Sequence, residues 1–153
     1  MTPQTPKKPS DRRLSDFLCF SIYSANLAFG RAYKPILDRL GLTYTQYIAI
    51  MALSEEDNQT VSGLGEKLFL ESNTLTPILK KLEAMGLVRR QRDSADERQV
   101  FVSLTEAGHR VREQALDNNL VAATGLSPDE FSVLRSAVQK LRGNLLAATQ
   151  GKP

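Results

Sequence analysis

One cysteine occurs in the chain, Cys19, and it lies in LSDFLCFSIY, ringed by apolar side chains on a stretch with helical spacing. Two chemistries compete for it. Free cysteine is among the most buried residue types, and apolar surroundings raise a thiol's pKa toward inertness, so Cys19 fits ordinary core filler. A thiolate held by hydrogen-bond donors instead attacks peroxides. Tyr23, four residues on and on the same helical face, carries such a donor in its phenolic O–H. All four tyrosines fall between Tyr23 and Tyr47. Tyr33 and Tyr44 are too far along the chain to be placed beside Cys19 by spacing, and Tyr47 reads as core of the following helix.

Composition bounds the molecule that holds these groups. At 153 residues it is the size of one ordinary domain and can bury about two thirds of its unfolded surface. No apolar run approaches the roughly 20 residues of a membrane helix, so no membrane partner is indicated. The opening MTPQTPKKPSDRR lacks the apolar core of a secretory signal, and residues 1–13 are expected to form a disordered basic arm. A lone cysteine excludes an internal disulfide and fits a reducing cytoplasm. With one histidine besides, there is little material for a transition-metal site, and no metal or cofactor is expected. His109 reads as a surface residue. The net charge of +3 leans weakly toward an anionic partner.

The elements follow from periodicity and capping. From Leu14 to about Leu40 apolar residues occur on nearly every side, which points to burial at a subunit interface, and Gly41 ends the helix as a C-cap. Thr43 and Gln46 form a capping box that opens a second helix, and Thr60 starts a short third with Val61, Leu64 and Leu68. TLTPILKKLEAMG is a fourth, with Leu75, Ile78, Leu79, Leu82 and Met85 inward, Pro77 tolerated near its start and Gly86 as its stop. Residues 87–92 and 99–104 read as two strands, the second alternating clearly, about the polar loop DSADER. Thr105-Glu106 caps a fifth helix running to about Ala123. Ser127-Pro128-Asp129-Glu130 opens a sixth, in which Phe131, Leu134, Val138, Leu141 and Leu145 make a seam for another helix.

This order predicts a mainly α fold of six helices with a small β-hairpin wing. It is a winged helix-turn-helix, dimerised through its N- and C-terminal helices, that sets two recognition helices on a pseudopalindromic duplex. Residues 14–148 form the domain, 14–42 and 105–148 being dimerisation helices and 43–104 the DNA-binding lobe. Lys80, Lys81, Arg89, Arg90 and Arg92 stand against Glu83 alone, as phosphate-binding surfaces require. Taken alone, Lys80 and Lys81 also fit the wet face of an amphipathic helix. Ser72, Asn73, Thr74 and Thr76, at the start of the fourth helix, carry short side chains that hydrogen-bond bases or phosphates.

The segments GLTYTQYIAIMAL, LxxxLxxLExxGLVxRxRDxxDxR and VxLTxAG resemble the MarR family of winged-helix repressors over about residues 14–148. The resemblance implies that Arg98, near the wing tip, enters the minor groove, held by an ion pair to Asp96. Asp93, Asp96 and Arg98 also fit a salt-bridged hairpin tip without a DNA role. LSDFLCFSIYSANLAFGRAYKPILDRLGLTYTQY is similar to the organic hydroperoxide-responsive (OhrR-type) branch through Cys19, Tyr23, Tyr33 and Tyr44. That implies a homodimeric repressor that releases its operator when Cys19 is oxidised, with Phe17, Phe20, Ile22 and Phe29 forming a hydrophobic pocket that favours organic hydroperoxides. Some members have a second, resolving cysteine near the end of the fifth helix. Here that region reads NNLVAATGLS, so a sulfenic acid at Cys19 must be capped by a low-molecular-weight thiol or overoxidised. The competing readings are a MarR-type repressor released by a phenolic ligand and a thiol peroxidase.

Overall fold

A computed structural model describes residues 9–116 and 120–151. Most of the expected N-terminal arm, residues 1–8, lies outside the described residues. The chain forms two compact units that divide at residues 118 and 119.

In the first unit a short 3-10 turn at Leu14–Asp16 precedes α1, Leu18–Leu40. α1 ends on Gly41 in the left-handed region (φ 67°), where the Leu42 N–H reaches back to the Leu37 carbonyl at 2.9 Å. α2, Tyr44–Glu55, opens with the expected capping box: the Thr43 hydroxyl accepts from the Gln46 N–H at 3.2 Å, and the Gln46 side chain accepts from the Thr43 N–H at 2.9 Å. α3, Val61–Leu68, is capped by Thr60. α4 spans Ser72–Ala84, starting before the expected Thr74 because the Glu71 carbonyl already accepts from Thr74 and Leu75. Pro77 therefore lies past the first turn, where it removes the bond that would have reached the Asn73 carbonyl; that end of the helix is exposed.

The wing is a three-stranded antiparallel sheet in the order β1-β3-β2, made of Gln59–Thr60, Val100–Leu104 and Val88–Arg92. Arg90 pairs with Val102 and Gln59 with Val102 on its other side. β1 is the element the sequence reading lacks. It is held from behind by the Gln59 side chain, whose Nε2 donates to the Ala52 carbonyl at 2.8 Å and to the Glu56 carbonyl. α5 runs Glu106–Leu116, shorter than expected: residues 117–119 lie outside the described residues, and Ala122–Thr124 is a 3-10 turn.

The core of this unit lies between α2, α3, α4 and the sheet. Ile50, Leu53, Leu64, Leu75, Leu79, Leu82 and Val102 are fully buried, and Leu37 joins them from the end of α1. The rest of α1 is different. Only Ile36 and Leu37 of it are buried, while Leu14, Phe17, Leu18, Ile22, Tyr23, Leu27 and Phe29 are exposed. In the second unit α6, Pro128–Gln150, starts from the expected Ser127–Glu130 capping box, and its Val133, Leu134, Val138 and Leu145 are exposed. Among the described residues no helix is long and apolar enough to cross a membrane.

At the junction of wing and α5, a Cβ on Gly108 would lie 2.2 Å from the Leu87 carbonyl oxygen. Because that oxygen is backbone and already accepts from the Thr105 N–H, it has little room to move. Gly108→Ala is expected to destabilise the fold by about 1–3 kcal/mol through overpacking, read as a lowered urea midpoint at unchanged slope.

Candidate sensor and nucleic-acid interface

Cys19 sits in the first turn and a half of α1 and is exposed. Tyr23, one turn on, is 59% exposed and packs its ring 6.4 Å from that of Phe20. Phe17, Ile22 and Phe29 are exposed and Phe20 half-buried, so within one chain these four do not close the expected pocket around the sulfur. The reason is geometric. α2 and α5 cover only one end of a 23-residue helix, and the preceding turns project beyond them.

Tyr33 and Tyr44 meet each other but not Cys19. Tyr33 is fourteen residues further along α1, roughly 21 Å at 1.5 Å per residue. There, at the buried end of the helix, its ring lies 5.5 Å from Tyr44 at the start of α2 and 5.2 Å from Tyr47. Tyr44 and Tyr47 are 6.1 Å apart, so the three rings form one cluster. Burial, with Tyr33 as a neighbour, pushes the Tyr44 pKa up. Burial acts most on Tyr47 too, joined by the Tyr33 charge and a hydrogen bond to Tyr33, and pushes it to about 12. Tyr47, expected as core of the second helix, does pack against the hydrophobic core, and it also meets the Tyr33 ring from α1, a contact that nothing local marks.

The second constellation lies across the first unit. The N-terminal ends of α3 and α4 and the wing border one hollow, lined by Thr60, Ser62, Ser72, Thr76, Arg90 and Arg98. The positive ends of two helix dipoles meet at it, and two guanidinium groups add positive charge, the combination that holds phosphate oxygens. Ser72, Asn73 and Thr74 are exposed at the start of α4; the Thr76 hydroxyl donates to the Ser72 carbonyl at 2.7 Å. Lys80 and Lys81 are exposed further along the same helix, and Arg92 on β2. Thr60 and Ser62 were legible only as the start of α3; what adds them to the site is the approach of α3 to the wing through β1.

Two expected roles change in detail. Arg90 is held by Glu83 of α4, Nε to Oε2 at 2.6 Å, so it ties the wing to the recognition helix as well as lining the hollow. Asp96 does not pair with the Arg98 guanidinium: its carboxylate accepts from the Arg98 backbone N–H at 3.1 Å. In the same turn the Asp93 carboxylate accepts from the Ala95 N–H, and the Gln99 N–H bonds the Asp96 carbonyl. Both aspartates shape the loop, and Arg98 is positioned through its main chain, because a short carboxylate reaches the nearest N–H before a distant guanidinium.

A helix-turn-helix with a basic wing beside it defines a winged-helix transcriptional regulator. The model of the family described as transcriptional regulator SarA/Rot matches residues 31–114. The organic hydroperoxide resistance transcriptional regulator of Bacillus subtilis is 40% identical over 131 residues, 84% of this chain and 89% of that protein. A structure of reduced AbfR of Staphylococcus epidermidis bound to DNA matches with TM-score 0.78 at 34% identity, covering 94% of this chain and 99% of that one. A structure of overoxidized AbfR bound to DNA matches with TM-score 0.71 at 36% identity, covering 86% and 94%. The chain belongs to the MarR-type winged-helix regulators, in the branch of the organic hydroperoxide resistance regulators. These relatives are regulators of transcription and not enzymes.

The tyrosine cluster gives a pH signature. Folded Tyr47 holds its proton from its ordinary pKa of 10.0 up to about 12. Over that window the folded state binds more protons than the unfolded one, so stability falls as pH rises through it. Alkaline titration followed by tyrosinate absorbance is expected to show a late phase near pH 12 that Tyr47→Phe removes.

Proposed function

We propose that the chain is a cytoplasmic homodimeric repressor that binds a pseudopalindromic operator when Cys19 is reduced and releases it when an organic hydroperoxide oxidises that sulfur. The observation that carries the sensing half is an exposed thiol on an uncovered apolar helix face, one turn from Tyr23, in a chain whose other tyrosines cluster about the far end of the same helix.

A second copy resolves this separation. If two α1 helices pack antiparallel about a two-fold axis near Asn26, Cys19 of one subunit lies opposite the partner subunit's Tyr33, with the partner's Tyr44 beside it. The same packing covers Phe17, Phe20, Ile22 and Phe29 and closes the apolar pocket, which favours alkyl hydroperoxides over hydrogen peroxide. An exposed apolar surface of this extent marks an interaction site; in the second unit α6 separately exposes Leu134 and Val138.

Phenolic donors stabilise the thiolate. The sulfur attacks the distal peroxide oxygen: the S–O bond forms, the O–O bond breaks, and the alkoxide leaves with a proton as an alcohol. The sulfenic acid that remains condenses with a small thiol, releasing water and forming a mixed disulfide, since the chain has no second cysteine. AbfR is bound to DNA in a structure of its overoxidized form, which supports the bulkier mixed disulfide as the form that releases DNA here. A thiol peroxidase would need a turnover cycle for which the chain holds no resolving thiol.

On the DNA, the start of α4 reads the major groove through Ser72, Asn73, Thr74 and Thr76. Lys80, Lys81, Arg90 and Arg92 neutralise phosphates, and Arg98, in the loop shaped by Asp96, enters the minor groove. Cumene hydroperoxide with a small thiol is expected to lower operator affinity about 100-fold, a shift of about 2.7 kcal/mol. A Cys19→Ser protein that still releases DNA under that treatment would sink the reading. Arg98→Ala is expected to weaken binding and to lower the log–log salt slope by about 1; an unchanged slope removes Arg98 from the interface.

A further inference from the structure

Glu83 stands where two effects oppose it. It is the next-to-last residue of α4, so its negative charge lies at the negative end of the helix dipole. It also shares that helix with the exposed Lys80 and Lys81, on a surface where a carboxylate repels phosphate. Its carboxylate accepts from Nε of Arg90 at 2.6 Å, and both side chains are partly exposed. Ion pairs of that exposure contribute little to stability.

Arg90 gives the placement a purpose. On β2 it follows buried Val88 by two residues and lies on the same face of the strand. Its guanidinium carries five N–H donors in a rigid plane. Glu83 takes the one on Nε, which fixes that plane and leaves the four on the Nη atoms. Arg90 also lines the hollow between α3, α4 and the wing, and among the described residues no carboxylate lines it. The hydroxyls there differ in what they can donate. Thr76 already gives its proton to the Ser72 carbonyl at 2.7 Å, whereas Thr60 accepts from the Gly63 N–H at 3.0 Å and keeps its own. An oriented guanidinium fork beside short hydroxyls, with no opposing negative charge, suits a tetrahedral anion.

We propose that this hollow seats one backbone phosphate of the operator, between the bases read by the start of α4 and the groove entered by Arg98, and that Glu83 is the positioning residue that turns the Nη groups of Arg90 onto it. The inference rests on the DNA-binding reading above and adds the place of one phosphate and the residue that aims its ligand. If Glu83 only screens Arg90, removing its charge strengthens DNA binding instead.

The test measures operator affinity by fluorescence anisotropy, over roughly 50–200 mM salt, for four reduced full-length proteins: the wild type, Glu83→Gln, Arg90→Gln and the double variant. Glu83→Gln makes the protein one charge more positive, and charge alone predicts tighter binding with an equal or steeper salt slope. Positioning predicts the opposite sign. Affinity is expected to fall about five- to tenfold and the log–log slope to shrink by about 0.9, with no further loss when Arg90 is already Gln. Operators carrying single neutral methylphosphonates locate the seat without any protein variant's folding being in question. One such substitution is expected to weaken the wild type about as much as Arg90→Gln does. Glu83→Gln binding as tightly as the wild type, keeping its slope, or losing as much without Arg90 as with it overturns the positioning role. Wild-type affinity indifferent to every methylphosphonate overturns the seat. A wild type whose operator affinity does not fall with salt removes the DNA-binding reading first, and the inference with it.

Discussion

The structure depends on an apolar helix face that the described residues leave exposed. α1 is rooted at Ile36 and Leu37, yet Leu18, Ile22, Leu27 and Phe29 lie along turns that meet no core. Removing apolar surface from water stabilises by roughly 25 cal/mol per Å², so this face drives association with a second copy. The sensor shares the constraint. Cys19 lies near the uncovered end of α1 and Tyr33 near the rooted end, and in the proposed dimer a second helix running the other way unites them. In that proposal dimerisation and thiolate stabilisation are one event, and a bulky adduct on the sulfur acts on the interface directly.

In the proposed mechanism the route from sensor to DNA is short. Tyr44 and Tyr47 belong to α2, which packs against α3, α4 and the wing through Ile50, Leu53, Leu75 and Val102. Close-packed interiors move as units, so a displacement of α2 at its tyrosines carries the recognition helix with it. Glu83 and Arg90 join that helix to the wing, and the Asp93 and Asp96 turn holds Arg98 at the wing's end. Two lobes on one duplex must keep a fixed separation; a small rotation of each breaks the match to the half-sites.

Much of this was legible in the residues. The capping signals of Thr43, Thr60 and Ser127 named the starts of α2, α3 and α6, because a cap is a local bond between neighbours. The two main strands showed in the change of period after Gly86, clearest in the alternation of Val100–Leu104. β1 did not, since a two-residue strand has no period and exists only through its pairing with β3. The 3-10 turn at Ala122–Thr124, in place of a fifth helix running to Ala123, was likewise invisible in a run without proline. For the sensor, Cys19 and Tyr23 could be paired by helical spacing, whereas the meeting of Tyr33 with Tyr44 and Tyr47 needed the fold. Arg98 was found by its motif, but its hold on Asp96 through the main chain depends on the turn's geometry. No local pattern shows that the ring around Cys19 stays open in one chain.

The claim that the sensor is shared between subunits is tested most directly by a mixed dimer. One subunit carries Cys19→Ser, and the other carries Tyr33→Phe with Tyr44→Phe. In this dimer the one remaining Cys19 faces intact tyrosines only if they come from the partner. The account predicts that this cysteine is oxidised by cumene hydroperoxide at the wild-type rate. Oxidation at the slow rate of the Tyr33→Phe, Tyr44→Phe homodimer would contradict it and place the sensor within a single chain.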